Sequence, residues 1–102
     1  MKKEEEGGRR NSDRMIKRYW ILRALYYQRT ESSSTLHAIA REIEEKMRLT
    51  VRDQDIKSLI DELISRGVIV RTELEGSNYH YQISEFGINW WERHGESLMQ
   101  LL

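Results

Sequence analysis

Gln54, Lys57, Ser58 and Asp61 follow one another at intervals of three, one and three residues. On a helix turning by about 100° per residue that spacing keeps them on one side. Ile56, Leu59, Ile60, Leu63 and Ile64 fall on the other stripe, so the apolar set is buried and the polar set, with Ser65, faces outward. An amide, an ammonium and a hydroxyl displayed in this way have a defined chemistry. Gln can pair with both groups of an adenine edge, Lys can reach guanine or phosphate, and Ser can contact either base type or the backbone. Arg52, in the first turn, is a further candidate, and the free N–H groups of a helix start suit a phosphate. Asp53, Asp55, Asp61 and Glu62 oppose this use. The first two also suit a helix N-terminus, and Asp61 lies within pairing range of Lys57.

Catalytic chemistry has less to draw on. His37, His80 and His94 lie far apart without metal-ligand spacing, and the serines near them form no nucleophile motif. The chain has no cysteine, which removes disulfides, thiol nucleophiles and thiolate metal sites. Gly7-Gly8 sits in a charged segment instead of between a strand and a helix, so no phosphate-cradling loop is present. No enzyme activity, cofactor or metal is expected, and no small-molecule ligand is evident.

The elements that position the polar face run from Thr50 to Ser84. Thr50, with Asp53 three residues later, reads as a capping-box start, and Arg66-Gly67 as the end of the helix. Val68, Ile69 and Val70 are β-branched and open a strand that continues through Thr72 and Leu74 to a turn at Glu75-Gly76-Ser77-Asn78. Tyr79, Tyr81 and Ile83 alternate with His80 and Gln82, predicting a second strand that pairs back as a hairpin. Arg71, Ser77, Asn78 and His80 on this ribbon can donate to phosphates or a minor groove. For Gly76, Ser77 and Asn78 the plainer role is turn conformation, and Glu73 and Glu75 dilute the charge.

Three further helices are expected. Residues 1–11 hold charged blocks around a glycine pair and read as a disordered tail, after which 12–102 form a single domain. Ser12 or Asp13 would cap a first helix running to about Gln28, whose wide arc of Met15, Ile16, Tyr19, Trp20, Leu22, Leu25 and Tyr26 exceeds one stripe. Part of that arc can face a second subunit, or all of it can pack in a small core. Arg14, Lys17, Arg18 and Arg23 offer phosphate contacts or an ordinary solvated face. Ser33 or Ser34 would cap a second helix with Leu36, Ile39, Ala40, Ile43 and Met47 on one side, and a last helix after Ser84 carries Phe86, Ile88, Trp90 and Trp91. Adjacent tryptophans lie about 100° apart, so one closes the core while the other is available to a partner.

Composition bounds these readings. A chain of 102 residues holds one domain, with 38% hydrophobic residues for a small core, 33% charged residues and a mean hydropathy of −0.76. No apolar run approaches the roughly 18 residues of a membrane span and no secretory signal opens the chain, so a cytoplasmic location is expected. The 17 basic residues equal the 17 acidic ones. Binding to phosphate would therefore require that the cations gather on one face.

The order helix, helix, turn, helix, hairpin, with LISRGVIVR followed by GSNYHYQISEFG, resembles the winged helix-turn-helix domains of MarR- and PadR-type transcriptional regulators. Leu63, Arg66, Gly67, Val68 and Ile69 match the end of the family's recognition helix, and Tyr81, Ile83, Ser84 and Gly87 its pattern after the wing. Small chains of this kind also resemble regulators of archaea and their viruses or plasmids. The resemblance spans about residues 14–95. It implies a mainly α fold with a small β-hairpin (α+β), a recognition helix at about 51–66 in the major groove, and a wing at about 68–83 on the backbone or minor groove. It further implies a homodimer formed through the first and last helices, for which Tyr19, Trp20, Tyr26, Trp90, Trp91, Leu98 and Leu101 are the candidate interface. The expected function is sequence-specific binding of double-stranded DNA, as a repressor by occlusion. A second reading keeps the fold and makes it a protein-interaction module without direct DNA binding.

Overall fold

Four helices and one antiparallel hairpin make up the described residues of the computed structural model, which are 2–30, 33–48, 50–73, 76 and 78–101, with side chains described only within 14–95. The order is α1 (Lys2–Tyr27), α2 (Leu36–Met47), α3 (Asp53–Ser65), β1 (Ile69–Glu73), β2 (Tyr79–Ile83) and α4 (Glu85–Leu101). The fold is mainly helical with a two-stranded sheet, an α+β arrangement.

The α3 stripe read from spacing is the centre of the core. Ile56, Leu59, Ile60 and Leu63 are buried against Ile39, Ala40 and Ile43 of α2 and against Ile21, Leu22 and Leu25 of α1. Burying each of the large side chains contributes about 1.5–3 kcal/mol. The hairpin closes one end: Ile69 pairs with Ile83, Arg71 with Tyr81 and Glu73 with Tyr79, and Ile69, Tyr81 and Ile83 are buried. The base of one ribbon face thus belongs to the core while its tip extends past it. A single bridge outside the hairpin, with Ser34 N–H donating to the Tyr81 carbonyl at 3.0 Å and Tyr81 N–H returning at 2.8 Å, binds the segment before α2 to β2.

Gly67 ends α3 as expected, at φ +78°, with its N–H on the Ile64 carbonyl and the Val68 N–H on the Leu63 carbonyl. Ser84 caps α4 through the Gly87 N–H at 2.9 Å. Its hydroxyl also lies 3.0 Å from the Val68 carbonyl, holding α4 to the start of the hairpin. Gly87 permits that approach, because a Cβ there would fall 2.3 Å from the Val68 carbonyl oxygen.

Three starts differ from those read from sequence. α1 begins at Lys2, so residues 2–11, expected as a disordered tail, carry helical backbone, and neither Ser12 nor Asp13 is a cap. Glu5 precedes Arg9, and Glu6 precedes Arg10, by the four residues that favour a helix with the acid first. Extending an existing helix also avoids the cost of nucleation, against about 1 kcal/mol for each of the two glycines. α2 is capped by Thr35, whose hydroxyl accepts from the Ala38 N–H, because Ser34 is engaged in its bridge with Tyr81. α3 starts at Asp53 with Arg52 as N-cap and no side-chain cap; the Thr50 capping box does not form, and Glu44 of α2 accepts the Val51 N–H at 3.0 Å instead.

Glu62 is where α1 and α3 are tied. Its carboxylate meets Arg18 at 2.8 Å, Arg66 at 2.9 Å and Arg14 at 3.2 Å. The Arg18 hydrogen bond holds the carboxyl pKa below its ordinary 4.5, against the opposing effect of burial. A group with a depressed folded pKa stabilises the fold above its unfolded pKa, and that contribution is lost as pH falls through the folded value. Glu62→Gln is therefore expected to cost about 2 kcal/mol at neutral pH, the scale of hydrogen bonds to a charged group. The gap between variant and parent should shrink steadily below pH 4.5. Urea midpoints measured from about pH 7 to pH 3 check this, and a gap independent of pH would show that the carboxylate charge is not what matters.

Candidate nucleic-acid interface

Gln54, Lys57 and Ser58 are exposed on α3, and Arg52 stands exposed just before its first turn. The core closes without any of them. Gln54, Lys57, Ser58 and Asp61 line one shallow depression of about 270 Å³. A second, of about 480 Å³, lies between the start of α2, α3 and the ribbon, and its walls include His37, Asp53, Lys57, Asn78, Tyr79 and His80. Lys57 borders both, so the helix face and the hairpin share a continuous concave strip.

Helix geometry accounts for the charge arrangement. Each cation of α3's outward side meets a carboxylate one turn on: Arg52 Nε lies 3.3 Å from Asp55 and Lys57 Nζ 3.1 Å from Asp61. Side chains three and four residues apart on a helix are neighbours. Arg52 is 80% and Lys57 54% exposed. Pairs this open are worth about 0.2–1 kcal/mol and are screened by salt, so an incoming phosphate can exchange with the carboxylate.

Arg71 differs from the helix cations. Its guanidinium lies 4.5 Å from the centre of the Tyr79 ring, and among the described residues it forms no ion pair. Residues of one parity share a sheet face, so Arg71 stands on the same side as Tyr79 and Tyr81. Arg71, Lys57 and Asp61 all act electrostatically on the buried Tyr81 hydroxyl, whose pKa is raised first by burial and then by Asp61. Helix and ribbon cations therefore come together around that residue. Asn78 is exposed near the tip, whereas His80 is half-buried with its Nδ1 2.9 Å from the Ser33 hydroxyl, a structural contact. Ser77 lies outside the described residues.

Two residues of this strip escaped the sequence reading. His37 and Arg41 on α2 both reach Asp53, at 3.2 and 2.9 Å, and Arg41 also donates to the Val51 carbonyl at 2.8 Å. Their four-residue spacing on the polar side of α2 was the available signal. The arginines of α1 move the other way. Arg14 and Arg18 are held by Glu62, and Arg23 stacks between Trp20 and Tyr27, at 5.3 and 5.0 Å, so all three brace the fold.

The expected subunit interface needs correction. Tyr19 and Trp91 are 4% and 3% exposed, with ring centres 5.3 Å apart, and Tyr26 adds a second ring 5.9 Å from Trp91. Trp91 is the tryptophan that closes the core, and Tyr19 closes it with Trp91. Trp20, Tyr26 and Trp90 stay partly exposed, Tyr26 beneath the Arg29 guanidinium at 3.9 Å. The side chains of Leu98 and Leu101 lie outside the described residues.

No helix among the described residues is long and apolar enough to cross a membrane, and no group of His, Cys, Asp and Glu there could hold a metal ion. Compared with known proteins, the chain matches no family model and no curated protein.

Proposed function

We propose that the protein is a cytoplasmic, sequence-specific double-stranded DNA-binding regulator of the winged helix-turn-helix kind, acting as a homodimer and repressing by occlusion. The observation that carries this reading is the joint exposure of Arg52, Gln54, Lys57 and Ser58 at the start of α3, beside a ribbon that presents Arg71 and Asn78. In this reading α3 enters the major groove, Gln54 reads a base edge, Lys57 and Ser58 contact base or phosphate, and Arg71 holds the backbone from the ribbon. Dimerisation joins α1 and α4 through Trp20, Tyr26 and Trp90, and places two copies of α3 about one turn of DNA apart.

The carboxylates beside Arg52 and Lys57 favour a second reading, in which this balanced face binds another protein. Binding to random duplex DNA as salt is raised separates the two. Phosphate contacts from several cations are expected to cost about a thousandfold in affinity between roughly 50 and 200 mM salt. Affinity that is absent, or that does not change with salt, would leave the protein-interaction reading in place.

A further inference from the structure

On the side of the molecule away from that strip, α1, α3 and α4 enclose a groove of about 410 Å³. Met15, Leu22, Phe86 and Trp90 supply apolar wall, and Arg18 and Arg66 supply guanidinium groups. Phe86 is 59% and Met15 44% exposed, although both are large apolar side chains on packed helices. The charge beside them is lopsided. Arg14, Arg18 and Arg66 converge on the single carboxylate of Glu62, three positive charges against one negative, so two are left uncompensated. Among the described residues no second carboxylate pairs with any of the three, and Arg18 Nε is buried without an acceptor.

We infer that this groove binds an amphipathic organic anion, a single carboxylate on an apolar body the size of a medium-chain fatty acid. The volume falls in the roughly 300–1,000 Å³ range of small-molecule sites, which are mainly apolar with a few oriented polar groups. A carboxylate matches the planar fork of Arg66 or Arg18 and offsets the excess charge. A small hydrophilic anion would leave Met15, Phe86 and Trp90 in water, and a neutral apolar molecule would cover guanidinium groups without compensating them. The anion needs both halves. The site was not legible in the sequence because its walls come from positions 15, 18, 66, 86 and 90.

Titration of the full chain with decanoate, below its micellar concentration and without DNA, tests the site independently of the DNA-binding reading. Calorimetry is expected to show saturable one-to-one binding, about tenfold or more tighter than decanol, with no measurable binding of acetate. Arg66 is 62% and Phe86 59% exposed, so Arg66→Gln and Phe86→Ser leave the core intact. Each should weaken decanoate by about tenfold while the thermal midpoint stays within a few degrees of the parent. Decanol binding as tightly as decanoate, variants binding like the parent, or decanoate failing to saturate would each overturn the assignment.

Discussion

Simultaneous replacement of Arg52, Lys57 and Arg71 by alanine is expected to lower affinity for duplex DNA by roughly a hundredfold at 0.1 M salt and to reduce the salt slope by about 2.7. Each neutralised phosphate releases condensed counterions, so three lost contacts remove a definable part of the dependence of log K on log salt. On α3 the loss is doubled in kind. Removing Arg52 and Lys57 frees the carboxylates of Asp55 and Asp61, which then repel the backbone the cations had attracted. Stability should barely respond, since the two α3 pairs are solvent-exposed and Arg71 lies on the open end of the ribbon. A variant that retains the parent's affinity and slope would remove the DNA-binding reading.

The largest effect on stability is expected from Trp91→Ala, at about 3–5 kcal/mol. Trp91 is the contact through which α4 joins α1, with Tyr19 on one side and Tyr26 on the other. Gly95 leaves the ring its place, since a Cβ there would stand 2.4 Å from the indole. No neighbour is positioned to fill the cavity. A domain of this size has about 5–15 kcal/mol in total, so the variant loses a large share and its thermal midpoint should fall by more than about 12 °C. Trp91→Phe keeps an aromatic body against Tyr19 and should recover much of the difference. A scanning calorimetry trace for Trp91→Ala within a few degrees of the parent would mean that α4 is held by something other than this ring.

How much was legible depends on the range over which each residue is decided. The buried stripe of α3, the Gly67 stop and the alternation of Tyr79, Tyr81 and Ile83 are local properties, and spacing alone reveals them. Choosing among Ser33, Ser34 and Thr35 for a cap is not local, because all three side chains can cap. The decision rests on Ser34 meeting Tyr81, 47 positions away. The same holds for the aromatic arc of α1. Periodicity shows that Tyr19, Trp20 and Tyr26 cover a wide face, while only the position of Trp91 determines which of them lies deepest. The outward residues of α3 followed from the helix phase, but the ties of Arg14 and Arg18 to Glu62 depend on how α1 crosses α3.

The bridge between Ser34 and Tyr81 bears on self-association as well as on helix starts. An unpaired strand border is a template for addition of another chain. Here the middle of β2 already has backbone partners on both flanks, and the remaining border belongs to β1, five residues long and carrying Arg71 and Glu73. Short length and charge are the features that discourage stacking of ribbons between molecules. A chain with no net charge to keep copies apart at neutral pH is thus guarded against fibrous growth along its small sheet by the loop that precedes α2.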